Sequence, residues 1–204
     1  MADLPAVEAI KNGSLPDKQT IFFMCDIQEK FRNVALYFNE MITSANKLVE
    51  TSRILGIPLV VTEQYPKALG HTVNELNIGH AEVFSKTKFS MMIPEVIDSM
   101  QRHCNGEAKC VVLFGLEAHI CIEQTAIDLR SSGYQVHVVA DATVSRSQED
   151  RLLAFERLKQ IGCFITTTES VLFKFMMDKN HPKFNEIRPL VKSTTPFTGL
   201  SSKM

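Results

Sequence analysis

No block of like charge runs through this 204-residue chain, in which 22 Lys plus Arg stand against 23 Asp plus Glu. A basic face that tracks phosphates is therefore not expected, and nucleic acid is not an expected partner. No apolar run reaches membrane-spanning length, and residues 1–18 lack the basic-then-apolar order of a signal peptide. No Gly-x-Gly-x-x-Gly, Gly-x-Ser-x-Gly or Walker-type lysine loop follows any apolar run, which removes the usual signatures of dinucleotide, serine-hydrolase and nucleotide sites. Cys25, Cys104, Cys110, Cys121 and Cys163 are an odd set with no Cys-x-x-Cys spacing. Reduced thiols in a cytoplasmic setting are expected rather than a disulfide framework. Internal repeats, low-complexity segments and linkers are also missing, so residues 1–204 are expected to form one domain.

What is present is an alternation. Apolar, β-branched or aromatic runs at 20–25, 57–62, 110–114, 136–140 and 163–166 predict buried strands, with a short sixth at 82–84. Between them, Met41, Ala45, Leu48 and Leu55 fall on one helical face, and Leu152, Phe155, Leu158 and Ile161 form another stripe. Ser147 with Asp150 three residues on predicts the start of the second helix. The fold class is therefore α/β, a three-layer αβα arrangement around a mostly parallel six-stranded sheet. The polar stretch after Val191 is expected to be loosely held.

Open parallel sheets collect ligands outside the carboxyl ends of their strands, so the residues just after each run carry the chemistry. Asp26 follows the first run, Glu63-Gln64-Tyr65-Pro66 the second, Lys86 the short strand, and Gly115 through Cys121 the third long run. A thiol, a carboxylate and an ammonium thus gather at one edge. In the first turn of a helix Cys121 would feel the helix dipole, which favours thiolate, but a buried packing cysteine fits the position equally. Desolvation at the end of an apolar strand would raise the proton affinity of Asp26, and a helix-capping role competes with that of a base. Spacing alone does not choose between Lys86 and Lys88. His119, two residues before the cysteine, is either a base or a pocket wall, and the geometry of a turn favours the wall.

Three ordered motifs resemble those of the isochorismatase-like cysteine hydrolases. They are Asp26-Ile27-Gln28 with Phe31, then Lys86-Thr87-Lys88-Phe89-Ser90, and then Gly115-Leu116 followed by Cys121-Ile122, Thr125-Ala126 and Asp128. Thr62-Glu63-Gln64-Tyr65-Pro66, Pro94-Glu95-Val96 and Ser145-Arg146-Ser147 look like the animal isochorismatase-domain-containing proteins in particular. The resemblance assigns Cys121 as nucleophile, Asp26 as its base and Lys86 as the third member of the catalytic set. It also implies a cis peptide at Leu116-Glu117, with an oxyanion hole made from the Glu117 and Cys121 backbone amides. The implied reaction is hydrolysis of a small amide through a thioester; a member of the fold retained for binding or assembly is the alternative. A homo-oligomer acting on a small molecule is implied as well.

The resemblance has departures. True isochorismatases need no thiol at the position of Cys121, and nicotinamidases carry an Asp-x-His pair where this chain reads Glu63-Gln64-Tyr65. His71 and His80 do not replace that pair, so no metal and no cofactor are expected. Gln28, Phe31, Glu63, Gln64, Tyr65 and His119 are instead candidate pocket residues, although Pro66 and Gly70 allow a plain turn there. Ser202-Lys203-Met204 is a variant of the C-terminal tripeptide that peroxisomal import receptors read.

Overall fold

The structure, a computed structural model, describes residues 12–200. Ser202-Lys203-Met204 lies outside the described residues. Six strands, β1 (Thr20–Cys25), β2 (Leu59–Gln64), β3 (Glu82–Lys86), β4 (Cys110–Gly115), β5 (Gln135–Thr143) and β6 (Phe164–Thr166), form one sheet in the order β3-β2-β1-β4-β5-β6. Every pairing is parallel. The fold is a six-stranded parallel α/β sheet with helices on both faces, as the alternation predicts.

Strand side chains alternate between two cores. Ile21, Phe23 and Cys25 face one side, where Val111, Leu113 and Val138 join them. Helices α2 (Pro94–Arg102), α3 (Glu123–Ser131) and α4 (Gln148–Gln160) cover that face through Val96, Ala126 and Leu158. Phe22 and Met24 face the other side with Val61 and Phe114, beneath α1 (Phe38–Leu55), α5 (Thr168–Met176) and α6 (Phe184–Val191). The chain winds from β1 to β2 in one direction and from β4 to β6 in the other. The carboxyl ends of β1 and β4 therefore flank the point where the strand order reverses, the crevice where such sheets hold ligands. Gly115 sets how closely these two ends meet: its φ is +123°, and a Cβ there would sit 2.1 Å from the Cys25 carbonyl oxygen.

Two expectations need correction. The second amphipathic helix exists, and Ser147 caps it by accepting from the Asp150 amide, but its inner face is Arg151, Ala154, Phe155 and Leu158, while Leu152 and Ile161 are exposed. Within the stretch after Val191, residues 193–199 are held, not loose. Arg151, 1 % exposed, donates to the Ala140 carbonyl at 2.7 Å and to the Thr198 carbonyl. Gln148 reaches the Gly199 carbonyl at 2.8 Å, and Lys47 the Ser193 carbonyl at 3.0 Å. A buried guanidinium needs acceptors, and this segment supplies one of them. Apolar periodicity cannot reveal a cation that packs inward.

Two predictions follow from this packing. Gly115→Ala is expected to destabilise the fold by more than about 3 kcal/mol in urea unfolding, because the clash is with backbone. His137, fully buried and stacked on Phe164 with ring centroids 5.0 Å apart, leaves Nδ1 without a hydrogen-bond partner among the described residues. Burial, aided by the Lys174 charge, lowers its pKa to about 3 from 6.5. Between those values the unfolded chain binds the extra proton. The stability that comes from keeping His137 neutral is complete above pH 6.5 and drains away as the pH falls toward 3. His137→Phe is expected to flatten the stability slope over that window relative to wild type, measured by denaturant titration at a series of pH values.

Candidate active site

Asp26 is the first residue beyond β1 and takes a left-handed conformation, φ 51°. This turns the chain sharply at the strand end and leaves the carboxylate inside, 1 % exposed. Its backbone amide donates to the Thr62 carbonyl at 3.1 Å. Oδ1 accepts from the Thr62 hydroxyl at 2.8 Å, and Oδ2 accepts from Lys86 Nζ at 2.6 Å and from the Cys25 thiol at 3.4 Å. The carboxylate is thus fully hydrogen-bonded without water, the condition under which a buried charge is tolerable.

Lys86 ends β3 with a side chain that has no solvent exposure. Besides Asp26, its ammonium donates to Gln64 Oε1 at 2.8 Å and to the Phe89 and Lys88 carbonyls at 2.9 and 3.2 Å. Burial works against its charge, but the electrostatic pull of the two neighbouring cysteines and the Asp26 carboxylate, with the Asp26 hydrogen bond, prevails and holds its pKa above the usual lysine value. Lys88, by contrast, is half exposed and pairs with Asp128 at 3.0 Å. The two lysines that spacing left equivalent therefore differ completely in environment.

Cys121 sits in a π-type turn, Ala118–Ile122, that runs into α3. Ile122, Ala126 and Leu129 anchor it to the sheet, each fully buried. Thr125 closes the turn by donating to the Cys121 carbonyl at 2.6 Å while accepting from the Met91 amide at 2.9 Å. The Leu116–Glu117 peptide is cis. Cys25 Sγ, Cys121 Sγ and an Asp26 carboxylate oxygen all lie within 4.8 Å of one another. The carboxylate, ammonium and thiol expected from three separate motifs are together at one point.

Cys25 was not expected here. Burial first, then its hydrogen bond with Cys121 and the Asp26 charge, push its thiol well above the ordinary value. It stays protonated and donates, while Cys121, 8 % exposed, is the sulfur nearer to solvent. The available signal was strand alternation: Cys25 shares a face with Ile21 and Phe23, the face on which α3 packs.

The other candidates divide. Gln28 is fully buried and braces backbone, donating to the Gly70 and Gln64 carbonyls at 2.6 and 3.0 Å and accepting from the Gln64 amide at 2.7 Å. Glu63 is bonded to the Thr72 amide and hydroxyl at 2.7 and 2.9 Å and to His71 at 2.8 Å. Gln64 holds Lys86, and Phe31 packs against the α1-side core. His119 bonds Ser145 Oγ at 3.0 Å. Glu117 pairs with Arg146 at 3.0 Å. Tyr65 is half exposed and lines a cleft of about 290 Å³ with Pro66, Lys67, Ser85, Lys86 and Thr87. His80 bonds Ser52 at 2.8 Å, so His71 and His80 have separate partners. Among the described residues, the one cluster with metal-ligand spacing is Cys25, Asp26 and Cys121, whose carboxylate Lys86 already engages.

The parallel sheet thus brings a carboxylate, an ammonium and a thiol together at its switch point. Residues 20–170 match the isochorismatase domain model, and the chain belongs to the isochorismatase domain family. It is 51 % identical to the zebrafish isochorismatase domain-containing protein 1, over 94 % of this chain and 68 % of that protein. The solved structure of the MAR1 ribonuclease from Caenorhabditis elegans is 42 % identical, covering 94 % of this chain and 98 % of that one, with a TM-score of 0.88. YcaC of Escherichia coli, an octameric hydrolase of unknown specificity, shares the fold at 17 % identity and a TM-score of 0.75, over 87 % and 94 % of the two chains.

Removing one partner of the buried pair leaves the other charge stranded. Lys86→Met is expected to cost about 3–5 kcal/mol in urea unfolding, and adding Asp26→Asn should recover most of that loss.

Proposed function

We propose that the chain hydrolyses a small carboxamide through a thioester on Cys121. The observation that carries this is the convergence of Cys121 and Asp26 within 4.8 Å, with Lys86 2.6 Å from the same carboxylate. Asp26 takes the Cys121 proton, and the thiolate attacks the amide carbonyl carbon. The backbone amides of Glu117 and Cys121 receive the tetrahedral oxyanion. Asp26 returns its proton to the leaving amine, the thioester remains on Cys121, and water activated by Asp26 releases the acid and regenerates the thiol. Lys86 keeps the carboxylate oriented throughout by its 2.6 Å contact. Tyr65 and the cleft beside it are the natural place for the substrate's remaining atoms.

The C. elegans relative's name favours a second reading, cleavage of RNA. The balanced charge, 22 cations against 23 anions, argues against a surface that follows a phosphate backbone. Assembly into a homo-oligomer accompanies either reading, as YcaC does in its octamer.

Iodoacetamide followed by peptide mapping is expected to label Cys121 ahead of the other four cysteines, and Asp26→Asn to slow that labelling at least about tenfold. A panel of small aliphatic and aromatic carboxamides, run beside single-stranded RNA, separates the two activities. Cys121→Ala should abolish turnover of the amide. RNA cleavage that survives the same substitution, with no amide turned over, would sink the hydrolytic proposal.

A further inference from the structure

The second thiol at this site has no task in amide hydrolysis. Cys25 is completely buried at the end of β1, faces the same core as Cys121, and donates its S–H to the Asp26 carboxylate at 3.4 Å. Its sulfur lies within 4.8 Å of Cys121 Sγ. Closing that gap to a disulfide bond length of about 2.0 Å needs less than about 3 Å of sulfur movement, the arc swept by a single χ1 change. The two thiols are also unequal in access: Cys121 is 8 % exposed and Cys25 is not exposed at all. An oxidant arriving from solvent meets Cys121 first.

We propose that Cys121 and Cys25 form a peroxide-responsive pair, in which a hydroperoxide oxidises Cys121 and Cys25 resolves the product as an intramolecular disulfide. The Cys121 thiolate attacks the terminal oxygen of the hydroperoxide and the O–O bond breaks. Cys121 becomes a sulfenic acid, and the alkoxide or hydroxide released takes up a proton. Sulfur loses two electrons and the peroxide gains them. Cys25 then attacks the Cys121 sulfur, the S–O bond breaks, and the departing hydroxide receives the Cys25 proton by way of Asp26, leaving as water. Two thiols and one hydroperoxide thus give one disulfide, one alcohol or water from the peroxide, and a second water. Linkage to Cys25 stops Cys121 short of the irreversible sulfinic acid, and a thiol reductant restores both residues. Cys104 and Cys110 lie near enough to act on each other electrostatically, but their thiols sit against the Thr20 and Ser14 carbonyls, away from Asp26, and Cys163 is buried beneath α4.

The proposal borrows the thiol of the hydrolytic reading but does not need turnover, and its test reads a covalent bond. The full-length protein is reduced, desalted, exposed to a slight excess of hydrogen peroxide, alkylated with N-ethylmaleimide and digested without reductant. The expected product is a peptide pair joined through Cys25 and Cys121, two hydrogens lighter than the reduced peptides and released by dithiothreitol. In Cys25→Ser the sulfenic acid has no resolving partner, and dimedone capture at Cys121 is expected to rise roughly tenfold over wild type. Wild-type protein in which Cys121 is trapped by dimedone, goes on to sulfinic acid, links to another cysteine or resists peroxide, in each case without a Cys25 bond, overturns the proposal. The wild-type map suffices alone should the serine variant fail to fold. A Cys25–Cys121 bond in a chain that hydrolyses no amide would refute the hydrolytic reading only; Cys121-dependent hydrolysis without that bond would refute only the oxidative one.

Discussion

The rest of the site depends on one buried ion pair. Asp26 and Lys86 come from strands that are not adjacent, β1 and β3, with β2 between them. Their 2.6 Å contact spans β2 and recruits two of its residues, Thr62 on the carboxylate and Gln64 on the ammonium. Without those partners, moving both charges out of water would cost more than their attraction returns. With them, each charge is satisfied and the carboxylate is fixed in the one orientation that faces both sulfurs. The pair makes sense as positioning, since an apolar replacement of equal volume would fold at least as well.

Gly115 supplies the complementary constraint on the other side of β1. A side chain there would collide with the Cys25 backbone, so glycine lets β4 end flush against β1. The Leu116–Cys121 segment then turns over the Asp26 carboxylate, and α3 starts at the switch point. The carboxylate is held from β2 and β3, the thiol from β4 and α3, and the sheet register sets their separation.

The architecture was legible because it rests on patterns that a parallel sheet enforces: continuous apolar strands, helical stripes between them, and polar residues at strand ends. Strand ends made Asp26, Lys86 and Cys121 candidates, but position left Lys86 level with Lys88 and Cys121 level with a packing cysteine, and only the three motifs' resemblance assigned them. Boundaries were less legible; β5 runs through Thr143, because Asp141 and Thr143 are polar residues buried inside it. Gln28, read as a pocket residue, and Arg151, which periodicity passed over, were obscured for a deeper reason. A long polar side chain in sequence reads as solvent-facing or substrate-facing, yet both are spent on backbone carbonyls in the interior. Periodicity reports where apolar atoms go and is silent on polar groups whose partners are distant in sequence. Cys25 was hidden in the opposite way, as one more apolar residue in a buried strand.

Glu63 shows the same logic at the end of β2. It stands where the chain departs from the Asp-x-His pair of nicotinamidases. Here its carboxyl is buried, and although burial opposes its charge, bonds from the Thr72 amide, His71 and the Thr72 hydroxyl hold it below the usual carboxylate range. One oxygen carries both Thr72 bonds and the other carries His71. Freeing that carboxylate for any ligand would break the bracket that joins β2 to the 70–73 loop, the same loop that Gln28 clamps through the Gly70 carbonyl. The β2 end in this chain is therefore built as a rigid wall whose polar groups are spent on the fold, with Tyr65 left half exposed beside it.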